Sequence, residues 1–331
     1  MSSGPHLIYT AGGGRFGNQL LNTAHLLGFV IEYPEFSLTN IAFSEYATEY
    51  GNKELANYQH NLYKADPFWK VILRATDPNK LLPLKKSRWL RLELLHLIAG
   101  LRAESISILG GSTHTKLPLS GHKYSYFDLT DPDNLQMLND HSVSVIAGWN
   151  VRAWHLIQKH REEIRSLLQP GESHLEVAQQ FISSLRSNFD VLVGALVRQG
   201  DYQNWQNGRY YYESHQYHEL LTRFCNQFED MDVGVIIASD QPQSYELFDS
   251  DQFAFATGIA GGDGHYLESF AELSLCDIVV SPPSTFSTLA AFVGDTPIVP
   301  VTSGIPGREW EVLNFPLIDS ANHQEMSDAV N

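Results

Sequence analysis

Short apolar strands alternate with helices along the second half of the chain, and this alternation limits the fold more than any other feature. Asp190–Val197 is apolar and rich in β-branched residues, and Val233–Ala238 and Ile278–Ser281 continue the pattern. Helical periodicity predicts the helices His174–Arg186 and Tyr211–Phe228 on either side of the first strand. Further predicted elements are the strands Phe253–Ala256 and Ile298–Val301 and the helices Tyr266–Leu275 and Ser284–Val293. Continuous apolar strands separated by helices are typical of a parallel sheet that is covered on both faces.

The first half of the chain shows a weaker form of the same alternation. Its predicted strands are His6–Thr10, Leu38–Phe43, Ser105–Leu109 and Ser142–Ala147, and its predicted helices are Leu20–Ile31, Arg88–Leu101 and Asn150–Leu168. Leu167–Ser173 contains Pro and Gly and is interpreted as a linker. We therefore expect an α/β chain with two Rossmann-like domains, residues 1–168 and 169–331, facing a cleft.

The charge of the chain excludes some classes of partner. Its 331 residues include 38 acidic and 22 basic side chains, and the net charge of −16 argues against binding to nucleic acid. There is no apolar run of about 18 residues and no basic, apolar leader, which predicts a cytoplasmic protein. Residues 80–102 are locally basic, with six Lys or Arg against one Glu. This segment is interpreted either as a helix with a solvated basic face or as a peripheral contact with the inner membrane.

The hexapeptide Gly14-Arg15-Phe16-Gly17-Asn18-Gln19 follows the first predicted strand and leads into the first predicted helix. Glycines allow a backbone to approach a ligand closely, and a helix N-terminus directs N–H groups at an anion. Arg15 adds a planar cation that suits a phosphate. The alternative is a tight turn with a solvated arginine.

A second polar motif, Arg198-Gln199-Gly200-Asp201-Tyr202, follows the strand Asp190–Val197 directly. Open α/β sheets bind ligands at the carboxyl ends of their strands, so Arg198 is expected to point into the cleft and bind a diphosphate. The alternative is that Arg198 only pairs with Asp201 at the entrance of the loop.

A third motif, Ser284-Thr285-Phe286-Ser287, begins a helix after a strand and a Pro-Pro pair. Its hydroxyls can cap the helix in the ordinary way. The same hydroxyls and N–H groups also form a seat for a second phosphate. Three such sites at strand ends favour ligand binding over three unrelated turns.

In order and spacing, these three motifs resemble those of the GDP-fucose-dependent fucosyltransferases. The chain looks most like the bacterial α-1,2-fucosyltransferases, with kinship to the protein O-fucosyltransferases and the α-1,6 enzymes. Gly148-Trp149 and the helix around Trp154 look like that family's mid-chain segment, so the resemblance covers most of the chain. It implies a GT-B-like fold with an acceptor-side first domain and a nucleotide-sugar-binding second domain. It also implies a GDP-β-L-fucose donor, no cofactor or metal, and inverting transfer to an oligosaccharide hydroxyl, with α-1,2 linkage to galactose.

The resemblance also assigns roles to residues. It implies that Arg198 holds the β-phosphate and that Arg15 and Asn18 lie near the fucose and the phosphates. Ser284, Thr285 and Phe286 are expected to contact the phosphates. The rest of the expected donor-binding set is Gly14, Phe16, Gly17, Gln19, Gln199, Gly200, Asp240, Glu268 and Ser269.

The chain departs from the family pattern where the base is read. The family histidine two residues before the first arginine is Leu196 here, and the second arginine is Gln199. The acid that reads guanine falls on Ser269, with Glu268 beside it. Glu268 is interpreted either as a replacement for that acid or as an ordinary helix-start carboxylate. A donor with another base is therefore an alternative.

Transfer of a sugar requires a stabilised leaving diphosphate. We assign this work to Arg198, assisted by Arg15 and the helix start at Ser284. Asp201 is the nearest candidate for a general base, and shaping its loop is the alternative role. The D-x-D triplets Asp131-Pro-Asp133, Asp230-Met-Asp232 and Asp249-Ser-Asp251 are interpreted as solvated turns and not as metal ligands.

Two other functional classes are alternatives. A catalytically silent protein that binds a nucleotide or a glycan is consistent with the changes at Leu196, Gln199 and Ser269. A Rossmann dehydrogenase ranks last, because the first loop lacks the G-x-G-x-x-G spacing and the acid about 20 residues further on.

Overall fold

The computed structural model describes residues 5–11, 14–40, 42–52, 55, 106–110, 127–141, 143–147, 151–259, 264–304, 310, 312 and 313. The chain divides into two compact units, Met1–Leu168 and Gln169–Asn331, and the division lies within the segment interpreted as a linker. The predicted helix Arg88–Leu101, the basic segment 80–102 and Gly148-Trp149 lie outside the described residues. Within the described part of the chain, no helix is both long enough and apolar enough to cross a membrane.

The first unit contains a four-stranded parallel sheet in the order β2-β1-β5-β3 and a two-stranded pair of β4 and β6. Its described strands are β1 (His6–Ala11), β2 (Ser37–Asn40), β3 (Ile106–Gly110), β4 (Phe127–Asp128), β5 (Val143–Ala147) and β6 (Val151–Arg152). Its described helices are α1 (Phe16–Glu32), α2 (Ser44–Tyr50), α3 (Pro132–Asn139), α4 (Trp154–Lys159) and α5 (Arg161–Leu167). Helix α1 is buried along most of its length, and its residues Leu26 and Phe29 pack in one core cluster with Leu7 and Tyr9 of β1.

Three elements predicted in this unit are wrong in extent. The helix predicted as Leu20–Ile31 begins at Phe16, four residues earlier, so it includes the second half of the first motif. The predicted helix Asn150–Leu168 is instead β6 followed by α4 and α5, which break at His160 (φ −105°, ψ 27°). The extended Arg152 is buried and donates to Asn22 Oδ1 at 2.9 Å, a contact that helical backbone there would not provide. The predicted strand Leu38–Phe43 ends at Asn40, because Asn40 Oδ1 accepts the Phe43 N–H at 3.1 Å and turns the chain into α2.

The second unit contains a five-stranded parallel sheet in the order β11-β10-β7-β8-β9. Its strands are β7 (Val191–Val197), β8 (Val233–Ser239), β9 (Phe253–Phe255), β10 (Ile278–Ser281) and β11 (Ile298–Pro300). Its helices are α6 (Glu172–Arg186), α7 (Ser214–Cys225), α8 (Tyr266–Ser274) and α9 (Thr285–Gly294). Helix α7 begins three residues later than predicted, since Glu213 and Gln216 form a capping box there.

Both faces of this sheet are covered. On one face, Tyr217, Leu221 and Phe224 of α7 pack with Val193 and Val235 in one core cluster. On the other face, α8 packs against α6 and α9. A Cβ at Gly194 of β7 would lie 2.8 Å from the Leu273 side chain and 2.9 Å from the Cys276 sulfur, so glycine permits α8 to approach the strand. The fold is α/β and GT-B-like, as predicted.

The order of the strands defines where a ligand can bind. From β7 the chain adds β8 and β9 on one side and then returns through α8 to β10 on the other side of β7. The strand order therefore reverses between β7 and β10. In open α/β sheets, ligands bind outside the carboxyl ends of the strands at such a switch point.

Candidate functional site

Arg198 follows β7 at this switch point, and its side chain is held from three directions. Its Nη2 lies 2.7 Å from Asp201 Oδ1 and its Nη1 lies 2.9 Å from Asp240 Oδ2. The guanidinium also lies 5.2 Å from the centre of the Tyr202 ring. Only 18% of the side chain is exposed. The alternative pairing with Asp201 is thus present, together with a second carboxylate from the end of β8.

Asp240 shapes the backbone of the Arg198 loop. Its Oδ1 accepts the Gln199 N–H at 2.9 Å, and its Oδ2 accepts the Gly200 N–H at 3.0 Å. A Cβ at Gly200 would lie 2.6 Å from Asp240 Oδ2, so this close approach requires glycine. The carboxylate therefore fixes both the guanidinium and the two peptide groups that follow it.

The Gln199 side chain is engaged inside the second unit. Its Nε2 donates to the Tyr212 carbonyl at 3.1 Å and to Ser214 Oγ at 3.2 Å. Its Oε1 accepts from Gln243 Nε2 at 3.0 Å, and Ser214 Oγ donates to Gln243 Oε1 at 2.8 Å. The structure thus directs the Gln199 amide into a polar network, and a donor-binding role for its side chain is still a prediction.

Tyr202 joins the second and third sequence motifs. Its hydroxyl donates to the Pro283 carbonyl, directly before Ser284. Burial raises the pKa of Tyr202 to about 12, so the hydroxyl stays protonated at neutral pH. The Arg198 loop and the start of α9 are therefore held together beyond the ends of β7 and β10.

The start of α9 differs from ordinary capping. Ser284 occupies the N-cap position, but its side chain makes no capping hydrogen bond. Ser287 Oγ donates to the Ser284 carbonyl at 3.1 Å and contacts Ser281 Oγ. The interpretation of Ser284 as a simple cap is wrong, and an anion is the other group that a helix N-terminus stabilises.

Two carboxylates gather after the edge strand β9. Thr257 Oγ1 lies 3.0 Å from Glu268 Oε2 and 2.5 Å from Glu272 Oε1. The Thr257 N–H also donates to Glu272 Oε1 at 3.1 Å. Burial raises the pKa of Glu272 to about 7. Ser269 is 3% exposed and its hydroxyl has no hydrogen-bond partner, among the residues that the structure describes.

This carboxylate group lies at the same edge of the sheet as Arg198. Thr257 follows β9, which is two strands away from β7. Neighbouring strands are about 4.8 Å apart, so the two positions are separated by roughly 10 Å across the sheet. That span suits a phosphate at one end and a nucleobase at the other. Glu268 belongs to this group and also lies in the first turn of α8, so both interpretations of its role are still predictions.

The first motif lies in the first unit, where Gly14 and Arg15 precede α1 and Phe16–Gln19 form its first turn. Gly14 has φ +76°, and a Cβ there would lie 1.9 Å from Asn18 Nδ2, so only glycine suits the position. Arg15 precedes α1 and is exposed, whereas Phe16 packs against Tyr46 with ring centres 5.6 Å apart. Gly17 and Gln19 are buried and Asn18 is half-buried. The motif thus combines an anchored helix start with an exposed cation.

The sequence-based set of site residues was incomplete. The structure adds Tyr202, Thr257 and Glu272 as contacts of the predicted residues, and Ser214 and Gln243 as partners of Gln199. Glu272 could have been found, since it lies four residues after Glu268 on the predicted helix and therefore shares its face. Gln243 follows the end of β8 by only four residues, but no sequence pattern links it to Gln199.

The D-x-D triplets were interpreted as turns. Asp131 is the N-cap of α3, where its Oδ1 accepts the N–H groups of Asp133 at 3.1 Å and Asn134 at 3.2 Å. Across the described ranges, no group of three or more His, Cys, Asp or Glu side chains could hold a metal ion. Metal independence is still a prediction.

Comparison with known proteins supports the fold. No family model and no curated protein matches the chain. The structure of POFUT1 in complex with GDP matches with a TM-score of 0.50 and 14% identity, over 89% of this chain and 96% of that one. POFUT1 in complex with GDP-fucose matches with a TM-score of 0.50 and 13% identity, over 89% and 95% of the two chains. The fucosyltransferase NodZ from Bradyrhizobium reaches 0.45 and 12% identity, over 95% and 99%, which is too distant to support an argument. At these identities, the likeness establishes the fold alone.

Proposed function

We propose that this chain is a glycosyltransferase whose donor is GDP-β-L-fucose. Transfer inverts the anomeric carbon and places fucose on an oligosaccharide hydroxyl, in α-1,2 linkage to galactose. One observation carries the proposal: Tyr202 ties the Arg198 loop to the start of α9 at the switch point of the second unit. The likeness of the chain to POFUT1, which binds GDP and GDP-fucose, supports the choice of donor.

The proposed chemistry is a single displacement. The acceptor oxygen bonds to the anomeric carbon while the bond from that carbon to the β-phosphate oxygen breaks. The electron pair of the broken bond stays on the diphosphate, and the acceptor proton leaves to Asp201 or to water. Arg198 stabilises the charge that develops on the diphosphate. One such donor typically lowers the activation free energy by about 3–4 kcal/mol.

Arg198 must exchange partners to do this work. Asp201 is the exchangeable one, because its side chain is 49% exposed, whereas the Asp240 side chain is 14% exposed and also holds the loop backbone. An exposed ion pair contributes only about 0–1 kcal/mol, so a phosphate can displace Asp201 at little cost. The displaced Asp201 carboxylate is then available to the acceptor hydroxyl.

We assign the reading of the base to Glu268. Its Oε2 is held by Thr257, and a carboxylate accepts the adjacent N–H groups that guanine presents. Ser269, at the position of the family's acid, is buried beside Gly258. A Cβ added to Gly258 would lie 2.1 Å from the Ser269 hydroxyl oxygen. Arg15 and Asn18 are proposed to act on the sugar and phosphates, as the sequence resemblance implies.

The first test is calorimetric binding of GDP, UDP and ADP without added metal, with Arg198→Ala as the variant. We expect GDP to bind most tightly and the variant to lose that binding. Arg209→Ala is the matched control, since Arg209 is an exposed arginine in the segment after Asp201. Binding of none of the nucleotides, or equal binding by Arg198→Ala, would refute the proposal.

A silent nucleotide-binding relative is the second candidate. It is favoured by Arg198 having two carboxylate partners and by the engagement of Gln199 in an internal network. Release of GDP from GDP-fucose separates the two functions. A protein that binds GDP and never turns over the donor, with any acceptor offered, is the silent relative.

A further inference from the structure

One hydroxyl group connects the two carboxyl groups near the end of β9. Thr257 Oγ1 lies 2.5 Å from Glu272 Oε1 and 3.0 Å from Glu268 Oε2. The Thr257 N–H also donates to Glu272, at 3.1 Å to Oε1 and 3.2 Å to Oε2. A Cβ at Gly264 would lie 1.7 Å from the Thr257 carbonyl oxygen and 2.8 Å from Glu268 Oε2, so the close packing of this group requires glycine there.

Counting protons shows that the two carboxyl groups cannot both be ionised in this arrangement. A threonine hydroxyl donates one proton, and an ionised carboxylate can only accept. Both contacts of Thr257 Oγ1 are therefore hydrogen bonds only if one carboxyl group keeps a proton and donates it to this oxygen. Glu272 is fully buried, whereas Glu268 is half-buried, and burial disfavours the charged form. The carboxyl group that keeps the proton is therefore that of Glu272.

The surroundings of Glu272 also favour its neutral form. Helix α8 packs against α6, α9, β7 and β8, and of these only α6 carries titratable side chains. Arg186 of α6 is bonded to Asp277, and no cation in the described ranges forms an ion pair with Glu272. Burial, together with the charge of Glu268, raises the pKa of Glu272 to about 7. The other titratable residues on α6, and on or directly after α8, are Glu172, His174, Glu176, His265 and Cys276.

The proton count leaves Glu268 with one oxygen held and one open. Because Thr257 accepts from Glu272, its own proton goes to Glu268 Oε2. Glu268 Oε1 has no hydrogen-bond partner among the described residues. Ser269 is 3% exposed, and its unpaired hydroxyl is directed at Gly258, the residue after Thr257. A buried polar group without a partner is rare in a folded protein, so Ser269 is a second indication that a ligand completes the hydrogen bonding here.

We infer that Glu272 is a positioning residue, which donates its carboxyl proton to Thr257 and so holds the Glu268 carboxylate in the orientation that accepts the N–H groups of the donor's base. The inference rests on the proposed function and deepens it. When Glu272 loses its proton, it becomes an acceptor for the Thr257 hydroxyl. Glu268 is then left without this donor and beside a second negative charge. Binding of the base should therefore weaken as the pH rises through about 7.

Calorimetric titration with GDP at pH 6 and pH 8 tests this role, with Glu272→Gln as the variant. A glutamine amide can donate to Thr257 Oγ1 at both pH values, as the protonated carboxyl group does. At pH 6 we expect the wild type and the variant to bind GDP within about twofold of each other. At pH 8 about a tenth of the wild-type molecules keep the proton, so the variant should bind about tenfold more tightly. The GDP phosphates titrate in both experiments, so the ratio of the two affinities isolates the effect of Glu272.

Variants of Thr257 separate this role from a purely structural one. Thr257→Val keeps the shape and removes the hydroxyl, and it should weaken GDP binding about tenfold at pH 6. Thr257→Ser keeps the hydroxyl and should bind GDP as the wild type does. Glu246→Gln, which removes an exposed charge elsewhere in the second unit, should leave the ratio of affinities at the two pH values unchanged. The same affinity ratio of Glu272→Gln to wild type at both pH values, or equal binding by the two Thr257 variants, would overturn the inference.

A second measurement needs no nucleotide. Carbon-13 NMR of the glutamate carboxyl carbons follows the proton directly, and the signal of Glu272 is the one that Glu272→Gln lacks. In the ligand-free wild type we expect this signal to titrate with a midpoint near pH 7. A Glu272 that is ionised throughout the range from pH 6 to pH 8 would refute its role even in a protein that binds no GDP. Failure of the wild type to bind GDP, with Glu272 titrating as expected, would refute only the proposed function.

Discussion

The two arginines of the sequence motifs differ in how the fold holds them. Arg198 is bound by Asp201 and Asp240 and lies over Tyr202, and 18% of its side chain is exposed. Arg15 is exposed at the start of α1, and it has no ion pair with any residue that the structure describes. A side chain that is fixed before the ligand arrives loses little conformational entropy on binding, whereas a mobile side chain must first be ordered. The difference supports the proposed role of Arg198 at a leaving diphosphate, and it predicts that Arg15 gains its contacts only when substrate binds.

The variants Arg198→Ala and Arg15→Ala test this difference between the two arginines most strongly. We expect Arg198→Ala to weaken GDP binding by more than about 100-fold, in line with about 3 kcal/mol for a charged donor in a preorganised site. Arg15→Ala should weaken GDP binding by less than about tenfold and lower the rate of donor turnover instead. Calorimetry and GDP release measure the two effects. Equal losses of GDP affinity in both variants would contradict the distinction.

The carboxylates of Glu268 and Glu272, which lie near the end of β9, lead to a prediction about how stability depends on pH. Burial raises the pKa of Glu272 from 4.5 to about 7, so the folded protein keeps a proton that the unfolded chain has lost. Stability should therefore fall as the pH rises from about 4.5 to about 7, by on the order of 3 kcal/mol for this group, and level off above that.

Glu272→Gln should remove this part of the pH dependence, because the amide stays neutral throughout. Urea unfolding of the wild type and the variant at pH 5 and pH 8 measures the difference. If the unfolding free energy changed by the same amount between pH 5 and pH 8 in both proteins, Glu272 would not be the group that causes the pH dependence.

Replacing Gln199 with arginine, the residue that the sequence resemblance leads one to expect there, sharpens the comparison further. Gln199→Arg would place a charge among Tyr212, Ser214 and Gln243, whose hydrogen bonds already satisfy the amide. We expect a loss of about 2 kcal/mol of stability and no gain in GDP affinity, because breaking a satisfied polar network leaves partners unpaired. Urea unfolding and calorimetry on the same sample test this. Tighter GDP binding by Gln199→Arg would show that the side chain can turn to the ligand.

Substitutions of the two carboxylates beside Arg198 are expected to change GDP affinity least. The two changes should have opposite signs, which makes them informative. Asp240→Asn should weaken GDP binding about tenfold, since Asp240 also fixes the Gln199 and Gly200 peptides. Asp201→Asn should tighten GDP binding by about two- to threefold, because it removes an exposed competitor for the guanidinium. If both substitutions weakened binding equally, Asp201 would be a structural partner and not an exchangeable one.

The regular elements of the second unit could be predicted from sequence because their signals are local. Strand β10 was predicted with its observed bounds, Ile278–Ser281, since an apolar run there ends at a Pro-Pro pair. Helix α6 and strand β7 were predicted to within two residues for similar reasons. In the first unit, the prediction over Asn150–Leu168 was wrong, because Arg152 is held extended by Asn22, 130 residues away in sequence.

Residues of the candidate site could be predicted only where a charged or polar side chain comes soon after the end of a strand. Arg198, Asp201 and Ser284 were predicted in this way; the structure pairs Arg198 with Asp201, and Tyr202 links their loop to Pro283, the residue before Ser284. The Tyr202 hydroxyl was not identified, because its partner Pro283 lies 81 residues away and Tyr202 was taken only as part of a motif. Glu272 was missed although it lies four residues after Glu268 on the predicted helix; only its burial depends on how α8 packs.

A crystal structure of the protein soaked with GDP tests the central claim most directly. We expect the β-phosphate to lie within hydrogen-bond distance of Arg198 and of the first turn of α9, with Asp201 turned away and Asp240 still bound to the loop. A GDP molecule bound elsewhere, with Arg198 still paired to both Asp201 and Asp240, would contradict the assignment of the diphosphate site.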